Sequence, residues 1–368
     1  MALPLYRQSD VPTTRSKGAN AGLWYDKFCN QWQRDWTLDA NGKHHWIKTV
    51  TESGSLGDAK LVNEMKERLL NLTNRLNGRS LFLKTDGRFV TGIGREHPVE
   101  NGFTWHHTLG VPYLPGSSIK GMVRTWAKIW LNADSANRIF GADGKEGHEV
   151  GSVIFFDALP IKPIKLEIDI MTPHYSEYYQ KEQENNPPAD WYKPIPIPFL
   201  TVAGEQTFIF CLAPRRAESV EDQEDVKTAI GWLEEALSYI GAGAKTSAGY
   251  GRFIVDADAE KAWRKQQEEE KIAREKQRQE YEKLKKLASM SPLQQEMEAD
   301  GYSDDTSLFK GKINNWLDKM EKADNKVGLE IAELLLKWYQ EKEPEQLTKP
   351  NKKNKDKIAR IALYLNKK

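Results

Sequence analysis

The segment YIGAGAKTSAGYGRF, residues 239–253, has the residue types to hold an anion. Gly241, Gly243, Gly249 and Gly251 punctuate a loop that carries Lys245, Thr246, Ser247, Tyr250 and Arg252. Glycine has no Cβ, so backbone N–H groups around it can approach a ligand closely and form anion-binding concavities; a phosphate backbone suits such a loop. A nucleotide P-loop does not fit, because Ala244 precedes the lysine and the chain runs from helix to strand rather than the reverse. The dinucleotide-binding glycine pattern fails too, since Thr246 stands where its third glycine belongs. A plain glycine-rich turn between helix and strand is the alternative reading.

A second segment, GVPYLPGSSIKGMVRTW, covers residues 110–126. Ser117 or Ser118 is the expected helix cap, Lys120 falls in the first turn, and Arg124 lies one turn further on the same face. A lysine at a helix N-terminus opposes the macrodipole, at a cost of a few tenths of a kcal/mol, and an anionic partner would offset that cost. Exposed N–H groups, serine hydroxyls and a cation converging on one spot make a phosphate site; a capped helix with a solvated lysine is the alternative. His106, His107 and His174 have the side chain that titrates near neutrality, so each could act as general acid or base, or be a solvent-facing or core histidine.

These segments need elements to position them. Leu61, Met65, Leu69, Leu72 and Leu76 repeat with helical spacing over 57–77, and Ile119, Met122, Val123, Trp126, Ile129 and Trp130 do so over 117–131. SLFLK and RFVTG around Asp86-Gly87 read as a hairpin, GSVIFFDALP (151–160) as a strand ending at proline, and IKLEIDIM (164–171) as a half-buried strand. Thr172 to Pro198, with its EQENNPP core and WYKPIPIP run, reads as a protruding loop, because prolines remove donors and fix the backbone. FLTVAGEQTFIFCLAP reads as a second hairpin turning near Gly204. Val226, Ile230, Leu233, Leu237 and Ile240 mark another helix, and YGRFIVDAD a last strand. The resulting βαββαβ order implies an α+β, ferredoxin-like or RRM-type domain with long insertions, of a kind often used on RNA.

After Asp258 the composition changes. Residues 260–287 are dense in Lys, Arg, Glu and Gln, as in a solvated helical stalk, and Ser291-Pro292 ends it. Ile313, Trp316, Leu317 and Met320, then Ile331, Leu334, Leu335 and Trp338, then Ile358, Ile361, Ala362 and Leu365 imply a small three-helix unit whose last linker is KPNKKNKDK. The expected division is therefore 1–258, a stalk at 259–290, and a helical domain at 291–368.

Net charge is +1, so any nucleic-acid binding must come from local basic surface. Twelve tryptophans, among them Trp24, Trp32, Trp36, Trp46, Trp105, Trp126 and Trp130, could fill a core or stack on bases, with the core the default. Two cysteines without a Cys-x-x-Cys pair and seven scattered histidines give no basis for a disulfide framework, a metal or a cofactor. No signal sequence and no membrane-length apolar run is read, which fits a cytoplasmic protein without a membrane partner.

PYLPGSSIKG, GAGAKTSAGYGRF and NAGLWYDKF together resemble the RAMP superfamily of CRISPR proteins. REHPVENGFTWHH (95–107), FFDALP and DIMTPHYSEYY (169–179) resemble, within it, the terminal-subunit family of type III-B Cmr assemblies. The resemblance covers residues 1–258. It implies a non-catalytic subunit at the head of a stacked filament, holding the 3′ part of a guide RNA, meeting target RNA through guide pairing, and abutting other RAMP subunits. It also implies that Lys120 and Arg124 hold guide phosphates, that Gly241 to Arg252 line the same groove, and that His174 and Tyr175 lead into a thumb wedged against the guide–target duplex. Related subunits cut RNA with a loop aspartate and a divalent metal; Asp157 and Asp169 match by type only and sit in strand-like segments. The resemblance leaves one enzymatic alternative, a metal-independent endoribonuclease that matures guide RNA. A third reading makes the tail a docking module for another protein.

Overall fold

The computed structural model describes residues 12, 14–16, 18–131, 136–142, 150–175, 178, 191 and 193–366. The chain forms two compact units, Met1–Lys265 and Gln266–Lys368.

The first unit opens with helices α1 (Ala21–Lys27), α2 (Ala40–Thr51) and α3 (Ala59–Arg75). Hydrophobic periodicity does not mark α1 and α2, yet each has a side-chain cap: Asn20 accepts from Leu23 N and Asp39 from Gly42 N. The unit's tryptophans divide as core and surface. Trp24 and Trp46 are buried with Trp105 and Trp126, whereas Trp36 and Trp130 are exposed. Helix α3 is rotated somewhat from the face its leucines suggest, with Met65 and Leu69 still packed against the core. Val62, Leu70 and Thr73 are buried while Leu61 and Leu72 are exposed. Burial of Thr73 is tolerated because its hydroxyl donates to the Leu69 carbonyl one turn back.

The sheet follows from β1 (Arg79–Thr85), β2 (Val153–Phe155), β3 (Leu159–Pro160), β6 (Thr207–Pro214) and β7 (Phe253–Val255), with strand order β2-β6-β1-β7 and β3 also paired to β6. All of these pairings are antiparallel. Helix α4 (Gly116–Ile129) lies between β1 and β2 in the chain, and helix α6 (Val220–Tyr239) lies between β6 and β7. The short helix α5 (Ala136–Phe140) packs on both. Strand β6 is buried from Phe208 to Pro214, so both its faces are covered and it reads as a continuous apolar run.

Neither expected hairpin forms. Gly87 does not take a positive φ; after it the chain leaves β1, and Phe89 bridges Val202 instead. Strand β4 (Leu166–Met171) and β5 (Ile197–Val202) pair with each other as a separate two-stranded sheet, Leu166 opposite Val202. The turn at Gly204-Glu205, with Glu205 at φ 57°, thus carries the chain from one sheet to the other rather than folding β5 onto β6. A turn signal fixes where the chain bends, but burial decides which strand it meets.

The remaining helices are α7 (Ala257–Ala288), which has no buried residue, α8 (Pro292–Ala299), α9 (Thr306–Lys322), α10 (Asn325–Lys342), α11 (Pro344–Thr348) and α12 (Lys352–Leu365). Ser291 and Gln294 form a reciprocal capping box at the start of α8. The second unit has its own core of Met297, Phe309, Ile313, Trp316, Leu317, Met320, Ile331, Leu335, Trp338 and Ile361. The lysine-rich KPNKKNKDK stretch is not all linker. Asn351 accepts from the amides of Lys353 and Asn354, and α12 starts at Lys352.

Candidate nucleic-acid interface

The glycine loop and the start of α4, more than a hundred residues apart, meet along one open cleft of about 530 Å³. Ser118, Met122 and Thr125 of α4 line one side, Gly241, Gly243 and Thr246 the other, with Thr91–Gly94 and Thr104 between them. The Thr91–Gly94 stretch, whose first two residues the sequence placed in a hairpin strand, was not read as part of the site. Its signal was the pair of glycines in TGIG: Gly92 has φ 74°, and a Cβ there would lie 2.1 Å from Thr104 Oγ1.

Helix α4 does not start on a serine. Its N-cap is Pro115, without a side-chain hydrogen bond, and Asp157 Oδ1 accepts from Gly116 N at 2.7 Å. Ser117 and Ser118 are therefore exposed first-turn residues whose hydroxyls the cap does not use, and Asp157 has a structural task at the helix entrance.

Three of the loop's four glycines have a steric reason, and Gly249 has only its positive φ of 93°. A Cβ on Gly243 would lie 2.1 Å from the Val90 carbonyl oxygen, one on Gly251 1.9 Å from that of Ala242, and one on Gly241 2.8 Å from that of Gly251. The loop is held by the amides of Gly241, Ala242, Ala244, Ala248, Gly249, Tyr250 and Gly251, each donating to a main-chain carbonyl. Among the described residues, the amides of Lys245, Thr246 and Ser247 have no such partner. Lys245 is left-handed, φ 59° and ψ 30°, and Thr246 begins a short 3₁₀ turn. A left-handed residue followed by a right-handed one turns three successive N–H groups toward a single point, the geometry of an anion nest.

The cations of the loop and of α4 differ in their surroundings. Lys245 Nζ lies 5.5 Å from the centroid of the buried Phe199 ring. Lys120 is half-buried, and burial together with the neighbouring Arg124 charge lowers its ammonium pKa. Among the described residues neither lysine has a carboxylate within ion-pair distance. Arg124 is engaged otherwise: its Nη2 donates to the carbonyls of Phe140 at 2.7 Å and Gly141 at 3.0 Å, closing the C-terminal end of α5. Arg252 is exposed, and its carbonyl accepts from Asp86 N.

Tyr250 anchors the loop to β4. Its hydroxyl donates to Asp169 Oδ2 at 2.6 Å, and Arg88 Nη1 donates to the same oxygen at 2.6 Å while its Nε reaches Glu167 at 3.1 Å. Burial pushes the Asp169 carboxyl up, but the Tyr250 hydroxyl, the Ile170 amide and the Arg88 guanidinium outweigh it and leave the pKa below the ordinary value. Burial and the adjacent carboxylate raise the Tyr250 phenol to about 12.

The histidines are dispersed. His106 Nδ1 accepts from the Leu109 amide at 3.3 Å, His107 and His174 are exposed, and the His174 ring lies 6.3 Å from that of the half-buried Tyr175. Most of the protruding loop expected between Thr172 and Pro198 lies outside the described residues. Among the described residues no group of three or more His, Cys, Asp or Glu side chains could hold a metal, and no helix is long and apolar enough to cross a membrane.

Comparison with known proteins agrees with the resemblance. The family model described as the RAMP superfamily matches residues 82–254. The CRISPR system Cmr subunit Cmr6 of Pyrococcus furiosus is 34% identical over 250 residues, covering 50% of this chain and 69% of that protein. The corresponding subunit of Saccharolobus solfataricus is 33% identical over 156 residues, covering 42% of this chain and 48% of that protein. Among solved structures, the crystal structure of Cmr6 from Pyrococcus furiosus matches at 33% identity and a TM-score of 0.31, over 48% of this chain and 97% of that one. The cryo-EM structure of the type III-B Cmr-beta bound to cognate target RNA matches at 25% identity and a TM-score of 0.46, over 58% of this chain and 70% of the other. With the sequence relationship spanning more than two thirds of the Pyrococcus subunit, the chain belongs to the RAMP superfamily and, within it, to the family of the CRISPR system Cmr subunit Cmr6.

Proposed function

We propose that this chain is a non-catalytic subunit of a type III-B CRISPR RNA-targeting complex that grips the 3′ part of the guide RNA and abuts neighbouring RAMP subunits. The observation that carries the reading is the nest at Lys245, Thr246 and Ser247 beside a cleft that also receives Ser118. Its amides have no main-chain partner among the described residues, and Lys120 and Lys245 have no carboxylate there. Such groups suit phosphate oxygens. Contacts to phosphate carry no base information, so guide sequence does not matter to this chain, and target recognition falls to base pairing.

Domain boundaries follow the same reading. Residues 1–258 are a ferredoxin-like RAMP domain, for which the β1-α4-β2-β6-α6-β7 order and the strand order β2-β6-β1-β7 are the support. Residues 259–290 are a charged stalk, and 291–368 a small helical domain. His174 and Tyr175 lead into the thumb against the guide–target duplex. Arg124 and Tyr250 support the groove, Arg124 by securing α5 and Tyr250 by holding the loop to β4, and the exposed Arg252 is a further cation for the same strand.

The test is retention of guide RNA by the complex carrying Lys120→Glu and Lys245→Glu together. Loss of guide, with a shallower dependence of binding on salt, is the expected result, because each lost phosphate contact releases fewer counterions. Guide retention and salt dependence equal to wild type would overturn it. Cleavage of repeat RNA in EDTA by the isolated chain, abolished by His106→Ala or His174→Ala, would replace it with the endoribonuclease reading.

A further inference from the structure

Past Thr125 the cleft-facing side of α4 runs onto open apolar surface. Ile129 is 73% exposed and Trp130 63%, while Tyr239, at the end of α6, is 67% exposed. These are not scattered side chains. The Trp126 ring stacks with that of Trp130 at 5.2 Å and 21°, and with that of Tyr239 at 5.7 Å and 10°. Trp126 itself is buried, and its indole N–H donates to Glu235 Oε2 at 3.2 Å, which fixes the middle ring. The result is a preassembled pile of near-parallel rings whose outer two members meet solvent.

Its position follows from the chain. Thr125 and Ile240 both line the cleft, and they are the immediate neighbours of Trp126 and Tyr239. Ser118, Met122, Thr125 and Ile129 recur at helical spacing along one face of α4, so Ile129 lies only about 6 Å beyond Thr125 along the axis. A polymer whose phosphates occupy the cleft would pass the pile on leaving it.

We infer that the Trp126–Trp130–Tyr239 pile is a stacking platform for an unpaired base of the RNA strand that the cleft holds; the inference rests on the phosphate-cradle reading. Open, parallel ring faces accept any planar heterocycle, since every base has a π face, so the platform adds affinity without sequence preference. Continuity with the cleft is what favours RNA over a protein partner at this surface.

The test uses the full chain and fluorescence anisotropy with two labelled probes of about 20 nucleotides, oligouridine and a ribose–phosphate oligomer without bases. Wild type should bind oligouridine about ten-fold more tightly than the baseless oligomer. Trp130→Ala with Tyr239→Ala should abolish that difference while leaving the salt dependence unchanged, and Trp130→Phe with Tyr239→Phe should restore it. Matching thermal midpoints show that these exposed truncations leave the fold intact. Equal binding of both probes by wild type, or a difference that survives the alanine pair, overturns the platform. The salt dependence of Lys120→Glu and Lys245→Glu reports separately on the cradle. An alanine pair that binds both probes as wild type does but no longer co-purifies with neighbouring subunits makes this a protein-docking face, which also overturns the platform.

Discussion

The hydroxyl of Tyr250 donates to Asp169 across 81 residues of sequence, at 2.6 Å, and so ties the glycine loop to the β4–β5 sheet rather than to the sheet that β7 joins. The loop is therefore braced from outside, and among the described residues the amides of Lys245, Thr246 and Ser247 keep no main-chain partner. Tyr250→Phe keeps the ring near Phe199, 6.0 Å away, and removes only the hydrogen bond. A cost of about 1–2 kcal/mol in urea unfolding at neutral pH is expected. The Asp169 pKa is depressed in the folded state, so this contribution is present above the unfolded carboxyl value of about 4 and is lost as pH falls below it. The gap between wild type and Tyr250→Phe should shrink in acid; a gap independent of pH would show that Asp169 is not the group being stabilised.

Glycines in the loop should not tolerate substitution equally. Gly243→Ala and Gly251→Ala each drive a Cβ into a carbonyl oxygen, at 2.1 Å and 1.9 Å, and both positions have positive φ. Backbone must move in each case, and a loss of about 2–4 kcal/mol is expected. Gly249 has φ 93° but nothing within 4 Å of a Cβ, so Gly249→Ala carries backbone strain alone, about 1 kcal/mol. Urea midpoints of the three variants check the ranking.

The contrast among these glycines marks where sequence reading succeeds. The 241–251 spacing announced a special loop because glycine is a direct record of backbone geometry. Element order and the α4 and α6 periodicities were equally legible, since burial against a sheet imposes them. Pairing was not: the DG step and Gly204 both mark bends, but whether Phe89 meets β1 or Val202 depends on which surfaces need covering. Likewise Arg124 has the type and position of a phosphate ligand, yet its guanidinium is directed to the carbonyls of Phe140 and Gly141, residues whose proximity only the fold creates. The brace from Arg88 and Tyr250 to Asp169 was illegible for the same reason, each partner being ordinary in its own segment.

His97 supplies a pH dependence unrelated to the cleft. Its ring stacks on Tyr25 at 4.2 Å, its Nε2 lies 3.0 Å from the Tyr25 carbonyl oxygen, and burial lowers its pKa to about 4. The folded state thus keeps the imidazole neutral where the unfolded chain, with a value near 6.5, takes up a proton. Stability is unaffected above about pH 7, declines as pH falls from about 6.5 to about 4, and levels off below. The full loss is about 3 kcal/mol for a side chain only 3% exposed. Thermal midpoints across this range should fall for wild type, and His97→Gln should flatten the curve while lowering it at pH 7.5.

Lys245 sets stability against binding. A non-glycine residue at φ 59° costs about 1–2 kcal/mol relative to glycine, whereas its cation–π contact with Phe199 returns about 0.5–1 kcal/mol. Backbone strain outweighs the ring contact, so Lys245→Gly should unfold at an equal or higher temperature than wild type. RNA affinity should nonetheless fall, and the slope of log K against log salt should decrease by about 0.7, the value for one phosphate contact on a single strand. A chain selected for stability alone would carry glycine here, as it does at 241, 243, 249 and 251. A strained lysine next to amides that have no main-chain partner among the described residues is the arrangement that the phosphate-cradle proposal predicts. A lower midpoint with unchanged RNA binding would instead make Lys245 a clamp on Phe199 and nothing more.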